Sequence, residues 1–195
     1  LCAVREGRSI ASSMGFSALD GLMMGTRCGT LDAGVLLHLL RQGWTADAIE
    51  KLLYKQSGLL GVSGLSADMR TLRASTDARA AQAIAQFVHR IERESGALVA
   101  CLGGLYVLGF AGGIGERDAA TRSAVCQGLG WLGVKLDEGA NQAARGDQVA
   151  AILLRHAVGI DPATGVLDEP YFAQFEAQAT GSPSKALAEA KASYA

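Results

Sequence analysis

The sequence has no excess of charge of either sign: 18 Lys and Arg stand against 19 Asp and Glu. That balance excludes the basic surface that grips nucleic acid and the polybasic patch that holds an anionic membrane, and it favours a small ligand bound internally. Cys2, Cys28, Cys101 and Cys126 form no C-x-x-C pair, and His38, His89 and His156 are equally scattered, so neither a zinc site nor a disulfide framework is suggested. The four cysteines read as reduced thiols at apolar positions of a cytosolic, hence cytoplasmic, protein. No apolar stretch approaches the ~20 residues that span a bilayer. No basic segment precedes an apolar run at the N-terminus, as a signal peptide would require. Proline is scarce: Pro162, Pro170 and Pro183 all lie beyond residue 160, whereas only two of the 25 glycines do. The composition therefore changes near residue 160, and from Thr180 to Ala195 a Ser, Ala and Lys rich stretch reads as a frayed helix or a tail.

Within 195 residues there is room for one domain with a real core, or for a slice of a larger protein. Leu1 to Val4 and Ser9 to Ser12, separated by Arg5-Glu-Gly-Arg8, predict a β-hairpin. Gly15, Gly21, Gly25 and Gly29, interleaved with Met23 and Met24, predict a long loop with apolar anchors, of the kind that carries function. Thr30 is expected to cap a helix bearing Val35, Leu36, Leu39 and Leu40 on one face and ending at Gly43. Thr45 is expected to cap a second helix, with Ile49, Leu52 and Leu53 as its stripe and Gly58 as its stop. Between Gly58 and Gly64 the spacing predicts another tight glycine loop. Asp77 to Leu102 carries the strongest period, Ile84, Phe87, Val88, Ile91, Leu98 and Leu102, and predicts a long buried helix. Leu105 to Phe110 reads as a central strand covered on both faces. A glycine turn follows it directly, and helical periodicity resumes from Asp118 to Leu129. Strand, glycine turn and helix together form a unit that offers backbone N–H groups to phosphate. Asp147 to Arg155 is again helical in pattern.

Four segments, in order and spacing, resemble the acetate kinase family: Ser13-Met-Gly-Phe-Ser-Ala-Leu-Asp-Gly-Leu-Met-Met-Gly-Thr-Arg-Cys-Gly29, Ser57-Gly-Leu-Leu-Gly-Val-Ser-Gly-Leu-Ser-Ala-Asp-Met-Arg70, Phe110-Ala-Gly-Gly-Ile-Gly-Glu116 and Leu129-Gly-Trp-Leu-Gly-Val-Lys-Leu-Asp137. The resemblance covers about residues 1–141 and implies an α/β fold, a ribonuclease H-like domain of the actin and sugar-kinase superfamily in partial form. It divides the chain into a C-terminal nucleotide-binding domain of that family, residues 1–141, and a divergent segment, 142–195. The activity implied is magnesium-dependent, reversible phosphoryl transfer between ATP and acetate, giving acetyl phosphate and ADP. A complete enzyme of this kind is expected to be a homodimer that engages neither nucleic acid nor membrane.

Phosphoryl transfer asks a protein chiefly to align groups and neutralise oxygen charge. Arg27 matches the family's transition-state-stabilising arginine, and a guanidinium fork can hold two oxygens at once. Taken alone it would read as a solvated loop residue. Asp68, Met69 and Arg70 match an adenosine-contacting segment; without the resemblance Asp68 reads as a helix N-cap. Gly113, Ile114, Gly115, Glu116 and Arg117 match a second nucleotide loop, where glycine lets the main chain approach a ligand. Many relatives carry Asn where Arg117 stands, and an acidic residue common before the Ser-Met-Gly block is replaced by Ala11.

The resemblance also implies what lies outside the chain: a magnesium-side Asn, an acetate-binding Arg, a catalytic Asp, a stabilising His and a glycine-rich ATP loop. No metal ligand is assigned here, and Glu169 is not taken as a stand-in. The isolated chain is therefore expected to be inactive or a weak nucleotide binder. The alternatives are a non-catalytic nucleotide-binding or dimerisation module, and a fragment of a propionate or butyrate kinase.

Overall fold

The structure, a computed structural model, describes residues 1–144 and the backbone of residues 151–153. The predicted hairpin forms from β1 (Cys2–Arg5) and β2 (Arg8–Ser12). Its two-residue turn takes Glu6 and Gly7 into the left-handed region, φ 51° and 71°, as a right-twisted hairpin requires. The chain divides into two compact units, one of Leu1–Cys2 with Ala11–Leu98 and the other of Ala3–Ile10 with the chain from Val99.

In the first unit, α1 (Ala33–Arg41) is capped by Asp32, whose side chain accepts from the Gly34 amide. The expected cap, Thr30, is instead drawn into the preceding loop, where its hydroxyl donates to Asp20 Oδ1 at 2.7 Å. No residue of α1 is buried, so its apolar face stays open. Helix α2 (Ala46–Lys55) is capped by Thr45 as expected and buries Ile49 and Leu53. Residues 58–63, read as a loop, form a short helix, α3 (Gly58–Ser63), closed by Gly64 at φ 64°. Helix α4 (Met69–Ala74) starts at Asp68, which accepts from the Arg70 and Thr71 amides. The long helix α5 (Ala78–Leu102) matches its prediction closely and runs from this unit into the next. Met23, Leu59, Leu72, Ala83 and Phe87 lie in the core of the first unit.

In the second unit, β3 (Val107–Gly109) is followed by α6 (Gly112–Arg117), α7 (Ala119–Gly128), a 3-10 turn (Gly130–Leu132) and α8 (Glu138–Ala143). Asp118 caps α7 with its side chain on the Thr121 amide. The core here holds Leu105, Phe110, Val125, Leu129 and Val134. Two expectations are corrected. Strand β3 is not sandwiched on both faces, since Val107 and Gly109 are exposed. The helical reading of Asp147 to Arg155 fails at β4 (Ala151–Leu153), which pairs antiparallel with β3, Leu108 opposite Ile152. Three apolar residues fit either element, and the free edge of β3 decides in favour of the strand. Glu169 and the tail from Thr180 lie outside the described residues. Among the described residues no helix is long and apolar enough to cross a membrane.

Candidate functional site

The loop that carries Arg27 is closed on itself and then seated on a helix. At its base Asp20, Gly21 and Thr30 form a knot. The Gly21 amide donates to Asp20 Oδ1 at 2.9 Å and to the Thr30 hydroxyl at 3.1 Å, and the Thr30 amide returns to the Gly21 carbonyl at 2.9 Å. The Thr30 hydroxyl, followed by the Gly21 amide, holds the Asp20 carboxyl below its ordinary range.

At the tip, Met24 to Arg27 make a turn, with the Met24 amide on the Arg27 carbonyl at 3.1 Å. Its other carbonyls accept from the start of α3: Ser57 N–H on Thr26, Leu59 N–H on Met24 and Leu60 N–H on Gly25, all at 2.9–3.0 Å. The first N–H groups of a helix have no partners of their own, so this turn satisfies them. The Thr26 hydroxyl adds a bond to the Tyr54 carbonyl at 2.9 Å, and the Cys28 amide one to Leu53 at 3.1 Å. The backbone of residue 27 is thus fixed from two helices.

The Arg27 side chain is half-buried. Its guanidinium carbon lies 5.6 Å from the centre of the Tyr54 ring, and one terminal nitrogen reaches the Ala18 carbonyl at 3.4 Å. An aromatic face attracts the cation without consuming its N–H donors. Among the described residues no carboxylate pairs with it. A charge held in place with most of its donors uncommitted is what an incoming anion needs.

The Asp68 segment lies beside this turn. Gly25 packs so closely that a Cβ there would stand 3.0 Å from the Ala67 carbonyl oxygen. Two of the three predicted segments therefore meet within one unit. The Asp68 carboxylate is already engaged: it caps α4 and pairs with the Arg70 guanidinium at 2.9 Å, which is chiefly what holds its pKa down to about 2. Met69 is buried, so only its backbone can line a ligand surface, whereas the Arg70 side chain is 92% exposed.

The third segment, residues 113–117, belongs to the second unit, and where the sequence predicts a glycine turn it forms most of the short helix α6. Gly113 is open, since a Cβ there would meet nothing within 4 Å, while a Cβ at Gly115 would lie 3.4 Å from Phe110. Glu116 Oε1 accepts from the Gly112 amide at 3.1 Å, bracing the turn, and Arg117 is exposed. The residue missed by sequence reading is Arg122, only 1% exposed, which donates to the Gly115 and Glu116 carbonyls at 2.9 Å. A signal for it existed: Arg122 falls on the stripe of Val125, Cys126 and Leu129, where a charge is out of place. Tyr54 was missed as well, being read only as part of a helix.

These residues do not by themselves fit a divalent cation, since among the described residues no three carboxylate, imidazole or thiol groups converge.

The fold is that of the actin and sugar-kinase superfamily in partial form, as its structural neighbours show. A crystal structure of Porphyromonas gingivalis acetate kinase matches 74% of this chain with a TM-score of 0.71 and 39% identity, the match taking in 37% of that protein. A propionate kinase from Francisella tularensis matches 78% of this chain and 41% of its own, with a TM-score of 0.70 and 36% identity. Within that class the chain belongs to the acetokinase family, which matches residues 1–158 and so runs past the last of the four motifs. Acetate kinase from Rhodopseudomonas palustris (strain ATCC BAA-98 / CGA009) is 58% identical over 147 residues, 75% of this chain. The chain spans about 37% of the length of that curated relative.

Proposed function

We propose that this chain is the nucleotide-binding, C-terminal part of a cytoplasmic kinase that moves a phosphoryl group reversibly between ATP and acetate. The observation that carries this reading is the Arg27 guanidinium. It is held over Tyr54 by a turn locked to α3, beside the Asp68 segment, and no carboxylate among the described residues neutralises it. In this reading Arg27 steadies the transferring phosphoryl group, the segment 68–70 lines the adenosine site with its backbone and the Asp68 carboxylate, and residues 113–117 form the second nucleotide loop. Magnesium, when bound, offsets phosphate charge, and its ligands come from outside this chain. Residues 1–141 act as the nucleotide domain and the complete protein as a homodimer.

The test is nucleotide binding by the chain itself. Millimolar ATP is expected to raise its melting temperature by mass action, and Asp68→Ala to abolish the rise. A chain indifferent to ATP would overturn the reading. Incubation with ATP, magnesium and hydroxylamine separates the alternatives. No hydroxamate from the isolated chain supports a truncated site, whereas hydroxamate from propionate in preference to acetate moves the assignment to the neighbouring acyl kinases.

A further inference from the structure

The second unit buries a cation that the proposed reaction does not use. Arg122 reaches four oxygens, none of them ionised. Its Nε donates to Asn141 Oδ1 at 2.7 Å, its Nη2 to the Asn141 carbonyl at 2.7 Å, and its Nη1 to the Gly115 and Glu116 carbonyls at 2.9 Å each. Burying a guanidinium against neutral acceptors costs free energy that an apolar side chain of the same volume would not. Burial of the cation is therefore not stabilising in itself, and what the arginine contributes lies in the bonds it makes.

What the fork does is tie short elements together. Helix α6 is six residues long, below the length at which a helix sustains itself, and its last carbonyls have no partners within it. Arg122 supplies them from α7. Its other side grips α8 through Asn141, whose own amide group donates to the Ala119 carbonyl at 3.0 Å and to Glu138 Oε2 at 3.2 Å. Glu138 in turn accepts from the Ser123 hydroxyl of α7. Three helices are thus clamped around one planar group, and a lysine, with a single compact charge, could not span the same four oxygens.

We infer that Arg122 is a positioning residue: with Asn141 it holds residues 113–117 of the short helix α6 in their ligand-ready form. This rests on the reading of that segment as a nucleotide-binding one. The test titrates ATP calorimetrically into the 195-residue chain and follows amide hydrogen exchange in the same samples. Arg122→Lys keeps the charge and loses the fork. It is expected to weaken ATP at least fivefold and to speed exchange at residues 115–117, while the amides of Val125, Cys126 and Leu129 keep their protection. A merely structural role would speed all of them together. Asn141→Ala, which removes one acceptor, should act in the same direction more weakly, and it decides the matter if the lysine variant does not fold. Gly113→Val probes the loop itself, since a Cβ there meets nothing in the fold. If Gly113→Val loses ATP while Arg122→Lys and Asn141→Ala bind as wild type does, the positioning role is refuted and the loop reading survives. If the wild-type chain takes up no ATP, or Gly113→Val binds it unchanged, the loop reading fails and the inference with it.

Discussion

Gly58 is where the Arg27 turn is seated. Its φ is +65°, and a Cβ built there would fall on the Met24 carbonyl oxygen and 2.8 Å from that of Arg27, both of them backbone atoms that cannot swing aside. The left-handed conformation alone costs an L-residue about 1–2 kcal/mol, and the displaced turn adds to it. Gly58→Ala is therefore expected to lose at least about 3 kcal/mol in urea unfolding. Gly64→Ala is the control: φ is +64°, but the nearest atom to its Cβ is the mobile Arg79 Nη1 at 3.6 Å, so its loss should stay near about 1 kcal/mol. At Asp68 the relevant variable is pH. The paired Arg70 guanidinium, with the Thr71 amide next, draws the carboxyl down to about 2 from its ordinary 3.8. The folded state thus binds fewer protons than the unfolded one in this window, so the contribution is complete above the ordinary value and is lost as pH falls through about 2. Asp68→Asn keeps a capping oxygen and cannot titrate. Between pH ~4 and ~2 the melting temperature of the wild type should fall more steeply than that of Asp68→Asn, and parallel curves would refute the assignment.

At the scale of elements, α5 carries one defect that a substitution can remove. Ser95 is buried on its inner face, and its hydroxyl has no hydrogen-bond partner among the described residues. A buried orphan hydroxyl costs about 1–3 kcal/mol, and alanine is the better helix former. Ser95→Ala is expected to raise stability by about 1 kcal/mol in chemical unfolding, and a loss of that size would mean that the hydroxyl is satisfied. The same helix shows which elements the sequence could announce. Twenty-five residues give a 3.6 period time to accumulate, and Thr45, Asp68 and Asp118 announce the starts of α2, α4 and α7 by a local rule. Helix α3 was misread because its six residues hold less than two turns and begin at a glycine chosen for its contact with residues 24–27. Strand β4 was misread because its partner is more than forty residues away in β3. The site divides along the same line. Arg27 and the glycine turns were legible as a family likeness, but the Tyr54 ring beneath Arg27 and the Asn141 carboxamide beside Arg122 are contacts between distant positions, which no local period encodes.

At the scale of the whole chain, each unit buries its own apolar set, while α5 and the hairpin run through both. A fault in one core need not open the other, because local openings follow cooperative units rather than the chain as a whole. Two cysteines make this measurable. Cys28 belongs to the first unit, one residue after Arg27; its amide is bonded to Leu53, and burial raises its thiol pKa. Cys126 lies in the core of the second, where burial pushes its thiol up to about 11. Thiolate is the reactive form, so at neutral pH both should label slowly, and exposed Cys2 and Cys101 quickly. Gly58→Ala unseats the turn next to Cys28. In native buffer it should speed alkylation of Cys28 by at least about tenfold, which one and a half kcal/mol of lost local stability would produce, and leave Cys126 as slow as in the wild type. Peptide mapping after pulsed iodoacetamide reads both sites at once. Equal acceleration at Cys28 and Cys126 would show that α5 couples the two cores into one cooperative unit, and that the Arg27 turn and the Arg122 clamp stand or fall together.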